Sequence, residues 1–451
     1  MRRFLSRPDF APPSIEVSLD ADDDSEGYIF IAPKKGPGQY GPMIVDDRGE
    51  LIWFCPLKGE KEYATDFKVQ EYRGRPVLTW WEGRLVFHNG AGEYVILDDN
   101  YQQVKRVRAG NGYEGDLHEF LITPQDTALF TIYGPVHADL SAVGGSARGT
   151  VLDGIAQEVD IQSGEVIFEW HSLDHVGLEE SYLRPSRSFS VPYDYFHINS
   201  IDVDQDGNLL ISARNTWTVY KVDRNSGEIM WRLGGKKSDF EMGAGTRTAY
   251  QHDARRQPDG TLTIFDNGAN PKVHAMSRGI VLGLDEQKMR AELVREYTHP
   301  GKRLLAANQG NLQVLPDGNV FIGWGSERMF SEYTRKGKMF LDATLPPGDD
   351  SYRAFRFPWK GRPKEAPSVV VRPSSGGEKV VYASWNGATE LAGWRVLAGP
   401  GPSGLRPIGF VRRSGFETKI AVDTGEHYIS LQALDGSGRV IGTSGKLALR
   451  S

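Results

Sequence analysis

An aspartate recurs along this chain at a nearly constant interval, each time between two strand-like runs. Asp98 sits in VILDDNYQQVKRV, Asp160 in QEVDIQSGEVIFEW, Asp223 in YKVDRNSGEIMWRL and Asp285 in LGLDEQKMRAELV. The separations are 62, 63 and 62 residues. A fixed period in a strand-rich chain means one supersecondary unit copied along the sequence. Two weaker copies flank the four, IVDDRGELIWF around Asp46 and SEYTRKGKMFLDATL around Thr334, which makes six.

Each unit reads as two hairpins. The outer one turns beside the recurring aspartate. The inner one turns at Asp206-Gly207, Asp259-Gly260 or Asp317-Gly318, a strong hairpin signal. Four strands in each of six units predict an all-β chain folded as a six-bladed β-propeller. The first copy has no inner Asp-Gly hairpin before it. The segments YIFIA (28–32) and YRAFRF (352–357) are expected to complete it, closing the ring with both ends of the chain. Abundant turn formers, Gly 52 and Pro 25, suit so many hairpins. After Pro363 the texture changes to short alternating strands, read as a small C-terminal β-sandwich of fibronectin III kind. The expected organisation is an N-terminal arm over 1–27, the propeller over 28–362 and the sandwich over 363–451, the last as a packing or docking module.

Several function classes are disfavoured. A net charge of −6 with no basic block argues against nucleic acid. No apolar run approaches the ~20 residues of a spanning helix, so no membrane partner is expected. The opening MRRFLSRPDFAPPS lacks an apolar core for a secretory signal. As written the chain is expected in the cytoplasm, or outside the cell if a leader has been trimmed. The single cysteine, Cys55, follows Trp53 and Phe54 and is read as an inert core thiol. DVDQDG at 202–207 resembles the start of a calcium loop, but its twelfth position is Ala213 where a glutamate is required. No phosphate cradle, nucleophile elbow or zinc spacing is present. No cofactor and no metal are expected.

Histidines carry the chemical signal. In a propeller the first strand of each blade lines the central channel, so residues opening those strands meet at one mouth. His118 (DLHEFLITPQD), His197 (YFHINSIDVDQDG) and His252 (YQHDARRQPDG) hold that place in three successive units. Residues ending the second strands return to the same mouth: Trp80, Trp81, Tyr133, Arg214, Asn215, Asp266, Asn267 and Trp324. Histidines, an arginine and an aromatic wall suit a small aromatic ligand bearing an anionic group. His137, His171, His175 and His299 fall outside the repeat frame and are read as surface or loop residues, while His88 and His274 have no assigned place.

At these residues the chain resembles the arylsulfotransferase family, in particular the branch found in actinobacteria and fungi. The stretches that carry the resemblance are GPMIVDDRGELIWF, RGRPVLTWWEG, DLHEFLITPQD, FHINSIDVDQDGNLLISARNT, WRLGGKKSDF, QHDARRQPDGTLTIFDNG, GNLQVLPDGNVFIGWG and WNGATELAGWRVLAG. They span most of the chain. The resemblance implies a six-bladed propeller that moves a sulfuryl group from a phenolic sulfate ester to a phenol without a nucleotide donor. It implies a nucleophilic histidine that becomes sulfated, with two further histidines and an arginine around the sulfuryl group. His197 and His252 match the supporting histidines. The family arginine follows FDNG, where Lys272 is nearest here and Arg278 lies further on. The next unit opens ANQGN, so Asn308 and Gln309 stand where a nucleophilic histidine would fall, and an amide cannot take that role at neutral pH. His118 is the repeat-frame histidine left for it. The expected function is therefore an arylsulfotransferase-like enzyme. The alternative is a repurposed propeller acting by acid–base chemistry on an aromatic metabolite, or only binding one.

Overall fold

The computed structural model describes residues 1–20, 25–59, 62–86, 89–373 and 379–449. Strands dominate, and among the described residues helix is confined to one four-residue turn at Ser172–His175 and three short 3-10 turns. No helix among the described residues is long and apolar enough to cross a membrane.

Six sheets of antiparallel strands follow one another along the chain in a β-propeller-like arrangement. The second is built from Tyr63–Tyr72, Arg75–Val86, Asn89–Leu97 and Gln103–Val107 in that spatial order. The third comprises Phe120–Ile122, Thr127–Ala138, Gly149–Asp160 and Val166–His171. The fourth comprises Ile198–Val203, Leu209–Ala213, Thr218–Val222 and Ile229–Gly234. The fifth holds His252–Arg256, Leu262–Asp266, Arg278–Asp285 and Arg290–Tyr297, with the short parallel strand Glu241–Met242 on its outer edge. The sixth holds Asn311–Val314, Val320–Gly323, Met329–Tyr333 and Met339–Thr344, with Glu16–Asp20 of the N-terminal arm added outside. The first sheet joins the two ends: Ala354–Phe357 pairs with Tyr28–Ile31, which continues to Met43–Val45 and Leu51–Phe54.

Local chemistry explains the repeat. Each recurring aspartate lies between the third and fourth strands of its sheet and accepts backbone N–H groups from the turn it starts. Asp98 takes those of Asn100 and Gln102, Asp223 those of Asn225 and Ser226, Asp160 that of Ser163 and Asp285 that of Lys288. Asp46 does the same for Arg48 and Glu50 in the first sheet. An aspartate side chain that mimics a backbone acceptor fixes such a turn. The inner turns are equally regular: Gly207, Gly260 and Gly318 each have φ 86°. That left-handed conformation is open to glycine without steric cost. In the third sheet Asp126 holds the place instead, at φ 61°, which is why that unit carries no Asp-Gly signature.

The first strands stand side by side around a common centre. Asn199 donates to Gln251 O, Asn311 exchanges hydrogen bonds with the backbone of Ala354, and Gln70 clasps the backbone of Phe120 and Ile122. A charged layer fills that centre. Arg353, fully buried, pairs with Asp66 at 2.7 Å and Glu119 at 3.1 Å, while Lys68 reaches both Asp66 and Glu119 at 2.8 Å. Arg255 pairs with Glu119 and Asp253. Asp66 and Asp253 sit in left-handed backbone, φ 56° and 55°, at register breaks in their strands. A bulge re-aims a side chain, and here both carboxylates enter the layer.

From residue 368 onward a three-stranded sheet (Ser368–Pro373, Lys379–Ser384, Glu417–Val422) faces a five-stranded one built on Gly393–Gly399 and Tyr428–Leu434. They enclose their own cluster, including Val381, Trp394, Ile420 and Leu431. Cys55 lies partly buried near this junction, and burial pushes its thiol up to about 11. A thiol protonated at neutral pH is a poor nucleophile, in line with the inert reading.

Candidate functional site

His118 and His197 each directly precede, or nearly precede, the first strand of the third and fourth sheets, and His252 opens that of the fifth. All three line one cavity of about 430 Å³. Arg214, Asn215, Asn308 and Gln309 share its wall, as the sequence frame expects. Tyr352 also faces it, and its chain neighbour Arg353 lies in the charged layer.

The three imidazoles are held differently. His118 Nδ1 lies 2.5 Å from Asp116 Oδ2. Asp116 is fully buried and also accepts the N–H groups of Gly90 and His118 and the Thr131 hydroxyl. Burial alone would raise its pKa, but His118 and these N–H donors outweigh it and hold the carboxyl below its usual range. An ionised Asp116 holds the Nδ1 proton, which leaves Nε2 as the His118 nitrogen not bound to the carboxylate. That atom has no hydrogen-bond partner among the described residues. His197 repeats the device through Asp194, with its own backbone in the left-handed region at φ 57°. Burial lowers its pKa despite Asp194, and His118 and Arg214 add to that, so His197 is neutral at pH 7. The rings of His118 and His197 meet edge to face at 4.9 Å.

His252 is fully engaged. Its Nδ1 donates to Asn267 Oδ1 at 2.7 Å, and its Nε2 accepts the Gln309 backbone N–H at 3.2 Å. Burial, with Arg214 nearby, pushes its pKa well down. It is a fixed neutral ring whose lone pair is already used. Arg214 stacks over Tyr250 at 4.6 Å and donates to Asn215 Oδ1 and Ala307 O. A guanidinium has five N–H donors, so others remain for a ligand.

The other expected wall residues, Trp80, Trp81, Tyr133, Asp266, Asn267, Lys272 and Trp324, do not line the cavity. Trp81 is fully buried and donates to Gly115 O. It stands in the middle of a strand that runs on to Val86, so it is not at the strand end the repeat frame assumed. Trp324 ends its strand but turns sideways between the fifth and sixth sheets, against Phe265 and onto Ser331 Oγ. Lys272 is exposed in the loop after Asn267 and does not line the cavity, where Asn270 does. Asn267 stands behind His252. Tyr133 backs the site as well, its ring 5.7 Å from those of both His118 and His197 and its hydroxyl donating to Ile198 O. Outside the site, His299 is buried against Trp324 and not on the surface, because it closes the gap over Asp342. His171 is half-buried between Asp153 and Glu169, and His274 bonds Asp266. His88 lies outside the described residues.

Sequence reasoning missed Lys34, Lys35, Asp194, Tyr352 and the apolar side of the wall, Leu85, Leu117 and Leu183. It also missed Asp116. The two aspartates were readable, since DLH and DYFH set a carboxylate two or three residues before each histidine. Lys34 had no local signal, because its partner Gln309 is 275 positions away. No group of three metal-ligating side chains converges among the described residues.

A sequence model of the family described as arylsulfotransferase (ASST) matches residues 68–345, more than half of the chain and all three cavity histidines. The arylsulfate sulfotransferase AssT of Escherichia coli O6:H1 (strain CFT073) is 24% identical over 379 residues, covering 67% of this chain and 61% of that protein. This chain therefore spans about three fifths of that relative's length. Among solved structures, a protein of unknown function from Bacteroides caccae superposes with a TM-score of 0.45 at 13% identity, over 73% of this chain and 98% of its own. A catalytically inactive virginiamycin B lyase from Staphylococcus aureus with quinupristin gives 0.38 at 9%, over 83% and 97%. At such scores neither likeness carries an argument.

Proposed function

The chain belongs to the arylsulfotransferase family, and from that premise we propose that it moves a sulfuryl group from a phenolic sulfate ester to a phenol, with His118 as the nucleophile. The six sheets are taken as the blades of a six-bladed propeller, and residues 363–451 as a separate β-sandwich domain. One observation carries the reading: His118 Nε2 is open in a cavity beside Arg214, while its Nδ1 is fixed by an ionised Asp116. A buried carboxylate that orients an imidazole and supports its positive charge is the arrangement that makes such a nitrogen reactive.

In the first half, Nε2 attacks sulfur. The N–S bond forms as the bond between sulfur and the aryl oxygen breaks, and a phenolate leaves. Arg214 faces the charge on the sulfuryl oxygens. In the second half the acceptor phenol gives its proton to neutral His197, its oxygen attacks sulfur, and the N–S bond breaks. His197 then returns the proton to solvent, where the released phenolate is protonated, so the cycle balances. The apolar side of Leu85, Leu117 and Leu183 suits the aryl ring.

The test is 4-nitrophenyl sulfate with phenol acceptors. Nitrophenol release should depend on acceptor, and without acceptor the peptide bearing His118 should gain a sulfuryl group detectable by mass. His118→Ala should abolish both. His197→Ala and Asp116→Asn should each lower turnover at least ~10²-fold, the usual scale for disturbing an acid–base group, and His252→Ala should lower it by unseating Gln309. Transfer that survives His118→Ala with a sulfated intermediate intact would sink the assignment.

A second reading has its own support. Asn308 and Gln309 occupy the unit where the resemblance places a nucleophile, and Gln309 occupies the His252 lone pair. Acid–base chemistry on an aromatic metabolite, or binding alone, would show as substrate conversion or affinity with no sulfated protein.

A further inference from the structure

Lys34 follows the strand Tyr28–Ile31 of the ring-closing sheet and reaches the histidine cavity. It is only 4% exposed and lines the cavity. Its Nζ donates to Gln309 Oε1 at 2.7 Å and is ion-paired with Asp350.

We propose that Lys34, presented by Gln309 and Asp350, is a second cation beside Arg214 that holds the sulfonate-type oxygens of the ligand in this chain. The proposal rests on the aryl sulfate reading above and names the residue that recognises the anionic end.

The cation expected after FDNG is absent from the cavity. Lys272 is exposed in its loop, and Arg278 is consumed by Asp266 and Glu296. Lys34 sits where they do not. An ammonium has three N–H groups; Gln309 and Asp350 use two, which leaves one for a cavity ligand. The presentation is rigid because Gln309 is tied on every side. Its backbone N–H is on His252 Nε2, its backbone oxygen accepts Asn267, and its side-chain amide donates to Asn308. Lys34 is thus linked through one residue to an imidazole of the site. The arrangement also gives Gln309 a reason to be an amide. A glutamine oxygen accepts from an ammonium at any pH, whereas a protonated histidine there would face Lys34 as a second cation. Lys35 reaches Asp350 at 3.5 Å and stays largely exposed, adding positive potential at the rim.

The rival account is a purely structural Lys34–Asp350 ion pair. Titration with benzenesulfonate separates them, since its carbon–sulfur bond cannot be transferred. Lys34→Met should weaken binding at least about tenfold, the scale of one charge-assisted hydrogen bond, and Lys34→Arg should recover most of it. Asp350→Asn removes the carboxylate that presents the ammonium and supports its charge, so it should weaken benzenesulfonate binding as well. A folded Lys34→Met that binds like wild type overturns the proposal, as does a wild type with no measurable affinity. If Lys34→Met does not fold, Lys34→Gln decides instead: weaker binding supports the proposal, and binding equal to wild type overturns it. Benzenesulfonate affinity that depends on Lys34 without any nitrophenol release would sink the transfer reading and leave this one standing. Transfer indifferent to Lys34 would do the reverse.

Discussion

Single carboxylates set the chemistry of this cavity. Asp116 and Asp194 each take one nitrogen of a histidine and leave the other free, while His252, served by an amide instead, has both nitrogens occupied. Three histidines at matching strand starts are therefore not interchangeable. A third carboxylate stands behind Lys34. Burial raises Asp349 to about 7, and the neighbouring charge of Asp350 adds to the rise while Lys34 opposes it. The folded-state pKa lies above the ordinary carboxylate value, so the folded protein holds a proton that the unfolded chain has lost. The stabilisation is complete below about pH 4, declines as pH rises and is gone above about pH 7. Asp349→Asn stays neutral throughout. The stability of wild type relative to Asp349→Asn should therefore fall between about pH 4 and about pH 7, read as the difference in melting temperature. A difference independent of pH would show that this carboxyl titrates normally.

Strands and turns were the legible part of the sequence, and the reason is locality. An aspartate that caps its own turn, or a glycine at φ 86°, acts within four residues, so it leaves a mark at every copy. The closing of the first sheet by Ala354–Phe357 on Tyr28–Ile31 was readable for the same reason, as a gap in a regular pattern. Depth and sideways orientation were not legible. Trp81 and Trp324 were placed by their position along a strand, but hairpin extension decides one and packing between sheets the other. The role of the C-terminal strands was equally hidden. Asn386 accepts the Phe54 N–H and donates to the Phe54 carbonyl, and Gly387 N–H bonds Ile52 O. The module thus covers the outer edge of the ring-closing sheet, which would otherwise offer unpaired backbone groups. From the far side Ser6 of the N-terminal arm bonds Glu417. Asn386→Ala should cost about 1–3 kcal/mol, the cost of leaving such partners unmade. A lower urea midpoint at unchanged slope would report it; an unchanged midpoint would mean that the edge needs no clamp.

The molecule as a whole is closed by one residue that joins four sheets. Arg353 leads into the strand that completes the first sheet, and its guanidinium meets Asp66 of the second, Glu119 at the start of the third and Asp253 of the fifth, and donates to Asn199 O of the fourth. Closing the ring and neutralising its centre are therefore one event. Buried pairs of this kind add little net stability over an apolar filling, but removing one partner strands the others. Arg353→Met keeps most of the volume and removes the charge, leaving Asp66 and Glu119 with only Lys68 and Arg255. It should destabilise the fold by about 3–5 kcal/mol. The loss should come from the stranded carboxylates, so adding Glu119→Gln should return part of it and give a coupling that separate sites would lack. Denaturant unfolding of the two single variants and the double variant measures this. The effect should also reach the cavity, since Tyr352 carries the motion of Arg353 to rings 5.5 Å away at His118 and 6.4 Å away at His252. An Arg353→Met protein as stable as wild type would mean that the charged layer does not hold the ring shut, and that closure rests on the strand pairing of Ala354–Phe357 alone.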